Sequence, residues 1–274
     1  MHPSRLVVEL FGGIDEGEIT HMVSSWCLRV LGSPVRRDLF SVEGVGCALG
    51  IELQDGRRVV VKVVRPDQPV ARLRAAQEVQ RVLLADGFPT PIPIAGPAGL
   101  ANGIAYAEEL QDLGMMPNGH LPGHRREMAG QLARLVEICA KARPATRANL
   151  ALSRPAWADY LNKDLWPVPH RPDADLSAPG EGFEVLDELA RVSKAVLCAA
   201  GDATSIIGHA DWEAQNLRFE NDRLAMVYDW ESLVVERESV IVGLASAVFC
   251  ARSEPGLGDV ATEAEQDAFL TEYH

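Results

Sequence analysis

Three oxygen-bearing side chains fall within one short stretch of this 274-residue chain. In His209-Ala210-Asp211-Trp212-Glu213-Ala214-Gln215-Asn216, Asp211 and Asn216 stand five residues apart in a loop. A hairpin pattern follows, with residues 217–219 and 224–228 flanking the turn Glu220-Asn221-Asp222, and Asp229 ends its second arm. A hairpin returns its far end to its start, so Asp229 is expected beside Asn216 and within several ångströms of Asp211. Hard divalent cations such as Mg2+ take oxygen ligands, typically only one or two from protein and the rest from phosphate and water. Asn216 and Asp229 suit that role. Asp211, left free of the metal, is placed to accept a proton from an attacking hydroxyl and to hold it in line with a phosphorus atom.

The elements that must position these groups follow from periodicity. Residues 16–31 carry apolar residues at helical spacing and stop at Gly32-Ser33-Pro34. Two β-like stretches, 39–51 and 57–64, are joined by Gln54-Asp55-Gly56, and Asp-Gly tolerates the positive φ of tight turns. The second stretch is nearly all β-branched, with Lys62 embedded in it, and a lysine buried there is costly unless an acidic partner is at hand. The helical pattern over 70–85 offers Glu78 as that partner. Gly44, Gly46 and Gly50, ahead of Lys62, allow backbone amides to approach phosphates. Strands near 92–95 and 103–110 complete a strand, strand, helix, strand, strand order. A Gly/Pro-bearing link over 111–123 leads to helices at 125–142 and 184–200, with 157–182 irregular between them.

HADWEAQN followed by VYDWES resembles the HGDxxxxN and DWE motifs of the aminoglycoside phosphotransferase and choline kinase-like family, whose fold is that of protein kinases. The resemblance runs in order from roughly residue 35 to residue 272. It implies an α+β, protein kinase-like two-lobed fold, with a small antiparallel-sheet lobe over 1–110, a hinge about 108–113 and a mostly helical lobe over 114–274. It implies Asp211 as catalytic base, Asn216 and Asp229 as metal ligands, and His209 as the residue shaping the catalytic loop. Lys62 then meets the nucleotide phosphates with Glu78 holding it, Gly44 and Gly46 cover them, and backbone groups of Glu108 to Leu110 meet adenine. The cofactors implied are ATP, with GTP as an alternative, and Mg2+. The acceptor implied is a small-molecule hydroxyl: an aminoglycoside-type antibiotic, or homoserine, choline, a sugar or a macrolide. Ala210 stands where the family has glycine, a change that matters only if positive φ is needed there.

Composition narrows the partners. The net charge is -13, with -3 over residues 1–112 and -10 over 113–274, which repels phosphate backbones and anionic lipids and suits a cationic ligand. Nucleic acid and membrane are therefore not expected as partners, and oligomeric state is not readable from the sequence. An apolar content of 47% excludes wholesale disorder. The five cysteines, Cys27, Cys47, Cys139, Cys198 and Cys250, are widely spaced without a CxxC pair and read as reduced core residues of a cytoplasmic protein. Two rival readings come from other classes. His209 in a zinc hydrolase HxD pair lacks the further ligands that zinc needs. A nucleotide-binding pseudokinase scaffold would not need all five polar residues that are present. Protein-kinase activity is disfavoured because no APE-like motif follows Asp229. Trp212 and Trp230 are expected as core packing.

Overall fold

The β-branched run Arg58–Val64 forms the middle strand of a five-stranded antiparallel sheet in the computed structural model of the chain, which describes residues 4–12, 15–152, 164–166, 183–199, 205–252 and 260–273. Strands β1 (Val35–Glu43), β2 (Cys47–Leu53), β3 (Arg58–Val64), β4 (Pro93–Leu100) and β5 (Gly103–Glu109) lie in the order β1-β2-β3-β5-β4. Alternation along β3 sends Val59, Val61 and Val63 to one face, where all three are fully buried, and Val60 and Lys62 to the other. The first face is covered by α1 (Arg5–Phe11) and α2 (Glu16–Leu31), whose Leu10, Phe11, Val23, Trp26 and Cys27 join the three valines, Ile51, Leu53, Ala105 and Ala107 in one cluster. Each fully buried valine there contributes about 1.5–3 kcal/mol of transfer free energy. Helix α2 begins at Asp15, whose carboxylate accepts the Glu18 N–H, and ends at Gly32 with φ 79°.

One expected strand is two. The stretch 39–51 reverses at Gly44-Val45-Gly46, where the Gly44 N–H donates to the Gly46 carbonyl (2.9 Å), so the sheet has five strands instead of four. The 54–56 turn is as expected: Gly56 has φ 87° and its N–H donates to the Leu53 carbonyl at 3.0 Å.

Helix α3 (Val70–Ala85) crosses the second face of the sheet. Its Leu73 packs on Val64 and Tyr106, while Ala75, Ala76, Val79 and Leu83 enter the core of the following half with Met128, Leu132, Trp212 and Trp230. That half holds α4 (Pro122–Cys139), α5 (Pro144–Leu150), α6 (Glu184–Ala199), α7 (Glu238–Val248) and α8 (Glu263–Tyr273). Two ribbons accompany them, β6 (Ser205–His209) with β9 (Leu233–Arg237) and β7 (Leu217–Glu220) with β8 (Arg223–Val227). The helix expected over 125–142 starts earlier, at Pro122, and a separate α5 starts at Pro144, because proline fits the first helical turn, where its missing N–H is not needed. Of the irregular stretch 157–182 only 164–166 lies among the described residues. Cys27, Cys47, Cys139 and Cys250 are buried as expected; Cys198 is exposed, because α6 has no buried residue among the described ones. No helix among the described residues is long and apolar enough to cross a membrane.

Candidate active site

Strand β6 delivers His209 and the loop that follows it. His209 is 1% exposed; its Nδ1 accepts the Asp211 N–H (3.2 Å), so Nε2 carries the hydrogen and donates to the Tyr228 carbonyl (3.0 Å). Burial holds this imidazole below its ordinary pKa, and the neutral ring meets Trp212 and Trp230 edge-on with centroids 5.8 and 5.6 Å away. Both nitrogens are thus engaged in tying the loop to the end of β8, which leaves neither for zinc. The indole N–H groups donate to the Met128 and Val227 carbonyls, and both tryptophans are core packing. Ala210, 4% exposed, has no positive φ and donates its N–H to the Ser232 carbonyl (3.0 Å).

The oxygen-bearing trio is drawn together by backbone and side chain alike. Asn216 ends a single 3-10 turn (Ala214–Asn216), and its Nδ2 donates to Asp211 at Oδ2 (2.7 Å) and at the carbonyl (3.0 Å). The Tyr228 N–H donates to the Asn216 carbonyl (2.8 Å), which sets Asp229 beside Asn216 as the hairpin geometry requires. Asp229 has φ 64° and ψ 50°, a left-handed conformation that costs a non-glycine residue about 1–2 kcal/mol, and its Oδ2 accepts the Ser232 hydroxyl (2.6 Å). Burial and the neighbouring Glu231 carboxylate push the Asp229 carboxyl up to about 8. Glu213 is likewise raised to about 7, by burial and by the charge of Asp211.

These donors fit a hard cation. The commitment of Asn216 Nδ2 to Asp211 leaves Oδ1 for another partner, and with an Asp229 oxygen it makes two protein ligands of the kind magnesium takes. Among the described residues no group of three or more His, Cys, Asp or Glu side chains gathers to hold a metal unaided, so the remaining ligands would be phosphate and water.

Lys62 reaches the site from β3, but not with the partner expected. Its Nζ lies 2.8 Å from Glu231 Oε2 and 3.7 Å from Glu108 Oε2, and Tyr106 donates its hydroxyl to the same Glu231 oxygen (2.7 Å). Burial alone would lower the ammonium pKa; Glu108, Glu231 and Asp229 outweigh it and raise it. Glu78 instead accepts the Thr146 hydroxyl (2.5 Å) and pairs with Arg143 (3.1 Å). Two residues make about 200° on a helix, so with Gln80 buried toward the sheet Glu78 points away toward α5. Glu231 was missed by sequence reasoning, although it closes the same Asp-Trp-Glu triplet that drew attention to Asp229.

The remaining predicted positions are mixed. Gly44 and Gly46 sit at the exposed β1–β2 turn; a Cβ on Gly44 would meet nothing within 4 Å, whereas one on Gly46 would lie 2.5 Å from the Val63 carbonyl oxygen. Glu108 pairs with Val60 across the β3–β5 ladder, and its side chain is buried toward Lys62. Of the backbone groups over Glu108 to Leu110 expected to meet adenine, the Leu110 N–H is spent on the Arg58 carbonyl (3.0 Å) and the Glu109 N–H on the Ile92 carbonyl (2.9 Å), because the sheet ladder extends to the end of β5.

Comparison with known proteins gives the family and the fold. The model of the APH phosphotransferase enzyme family matches residues 51–239, most of the chain, and the chain belongs to that family. No curated protein sequence matches it. Among solved structures it is similar to the amicoumacin kinase hAmiN in complex with AMP-PNP, Ca2+ and Ami (TM-score 0.66, 10% identity, 95% of this chain and 76% of that one). It is also similar to the spectinomycin phosphotransferase APH(9)-Ia in complex with ADP and spectinomycin (0.59, 13%, 92% and 79%). A third is the macrolide 2'-phosphotransferase MphH from Brachybacterium faecium (0.52, 16%, 91% and 81%). At these identities the likeness speaks to the fold, which is the kinase-like one expected.

Proposed function

We propose that this member of the phosphotransferase enzyme family transfers the γ-phosphoryl group of ATP to a hydroxyl of a small molecule. The observation that carries the reading is the direct knitting of Asp211 to Asn216 (2.7 Å) and of Asn216 to the residue before Asp229 (2.8 Å), with the Lys62 ammonium tied to Glu231 just beyond. Asp211, its Oδ2 fixed by Asn216, meets the acceptor hydroxyl. There it takes the hydroxyl proton as the acceptor oxygen bonds to the γ-phosphorus and the bond to the β-phosphate bridging oxygen breaks, releasing ADP. Lys62 meets the α- and β-phosphates, and Asn216 and Asp229 would hold a divalent ion. When bound, such an ion neutralises phosphate charge. His209 does no proton transfer; it fixes the loop through its two hydrogen bonds. ATP as donor is supported by the nucleotides bound in the solved relatives, AMP-PNP in one and ADP in another.

For the acceptor, the charge of -10 over residues 113–274 favours a cationic hydroxyl compound of the aminoglycoside type. The test is a phosphoryl-transfer assay against aminoglycosides, macrolides, amino alcohols and sugars, with and without Mg2+. Asp211→Ala is expected to lower turnover by about 10²–10⁴-fold while ADP still binds. Full activity in that variant, or turnover untouched by chelation of divalent ions, would remove the assignment.

A further inference from the structure

The carboxylate expected to hold Lys62 was to come from a helix, and Glu78 does not fill that place. We infer that Glu108 of β5, braced by Gln80 of α3, is the positioning residue that aims Lys62 at the phosphates; this rests on the phosphate-binding role proposed for Lys62.

Register provides the first support. Lys62 stands opposite Tyr106 and Val60 opposite Glu108, so Glu108 is the diagonal neighbour of Lys62 on one face of the sheet. Diagonal neighbours stand about 7 Å apart, within reach of two long side chains. Both groups therefore belong to one hydrogen-bonded ladder, and their separation does not depend on how the sheet sits against the helical half. Burial adds to it: the Glu108 side chain is 3% exposed, and a carboxylate so enclosed is costly without compensating partners. Gln80 provides one, donating Nε2 to Glu108 Oε1 at 2.7 Å from a side chain that is itself 1% exposed. Oε2 is then the oxygen turned to Lys62 at 3.7 Å. Each carboxylate oxygen thus faces a donor; burial raises the Glu108 carboxyl above its ordinary range, and Lys62 and Gln80 act against that rise.

Glu231 differs on every count. It is closer to Lys62 at 2.8 Å, but its side chain is 27% exposed and the same Oε2 serves Tyr106. It also stands two residues from Asp229, outside the five-stranded sheet, so its grip on Lys62 joins the two halves rather than fixing the lysine within its own sheet.

Calorimetric titration with MgADP and with adenosine tests the assignment in the full chain. The wild type is expected to prefer MgADP, and Lys62→Ala to erase that preference. Glu108→Gln keeps the shape of the side chain and should weaken MgADP about tenfold with adenosine unchanged. The exchange Glu108→Gln with Gln80→Glu returns a carboxylate to the same pocket, now on the helix, and should regain most of the loss; Glu78→Gln should bind both ligands as wild type does. Glu108→Gln with an unchanged MgADP preference overturns the inference. So does an equal loss of both ligands, or an exchange variant no better than the single one. If Lys62→Ala itself retains the preference, the phosphate role of Lys62 falls first.

Discussion

The segment 209–232 and the turn at 44–46 both link strands, and they are built on opposite plans. In the first, side chain after side chain is pinned: His209 by two hydrogen bonds, Asn216 by two to Asp211, Asp229 by Ser232, with Trp212 and Trp230 filling the space beneath. In the second, Gly44, Val45 and the half-buried Gly46 reverse the chain through one backbone hydrogen bond, and of the two glycines only Gly46 lies against anything that would resist a side chain. Under the proposed function, the contrast separates two requirements of phosphoryl transfer. Reacting groups must be held before the substrate arrives, because positioning and charge neutralisation supply most of the rate. A cover over phosphates needs backbone amides and freedom to approach, which small residues provide.

Truncation of the pinned segment should have the largest effect. His209→Ala removes both hydrogen bonds and opens a void between two buried tryptophans, with an expected loss of about 3 kcal/mol measured by denaturant unfolding. A loss under half of that would break the contrast. Gly46→Ala comes next: its Cβ would press on the Val63 backbone, which does not yield as a flexible side chain would, and a loss of about 1–2 kcal/mol is expected in the same measurement. A smaller signature is expected in pH. Burial depresses the His209 pKa below its ordinary 6.5, so the unfolded chain takes up a proton that the folded chain refuses; stability should fall as pH drops below about 6.5. Melting temperatures of wild type and His209→Gln between pH 7 and 5 should therefore converge as the pH is lowered, and parallel lines would count against a buried neutral ring. Gly44→Ala should be the mildest, within about 0.5 kcal/mol of wild type, and a larger loss would mean that the turn is as constrained as the loop.

What could be read from the chain before its fold was known follows the reach of each interaction. The neighbourhood of Asp211, Asn216 and Asp229 was readable because a hairpin is local: the turn at 220–222 fixes which residues oppose, and Asn221 and Asp222 take the positive φ such turns use. The burial of Lys62 was not readable from the valines alone, because a lysine alternating outward from an edge strand fits them as well; the resemblance tipped it inward. Its partners were not readable either, since Glu231 is 169 residues away and no periodicity records that pairing. Glu78 failed on rotation: a helix pattern fixes that 70–85 is helical, but which carboxylate faces a sheet depends on where Gln77 and Gln80 are buried, a fact of tertiary packing. The division of 39–51 into two strands was concealed for another reason. Its glycines were read as phosphate cover, and the reversal they permit between β1 and β2 was passed over. The β6–β9 ribbon was also unseen, because its strands are five residues each and separated by the whole of 210–232.

Residue 210 has a wider consequence. Its backbone torsion is ordinary, its amide is satisfied by Ser232, and its side chain lies 4% exposed. What the place demands is smallness, and handedness of the backbone is irrelevant to it. A search pattern with compulsory glycine there would discard this chain and any other that kept the chemistry with one extra methyl group; a pattern asking for glycine or alanine would retain them.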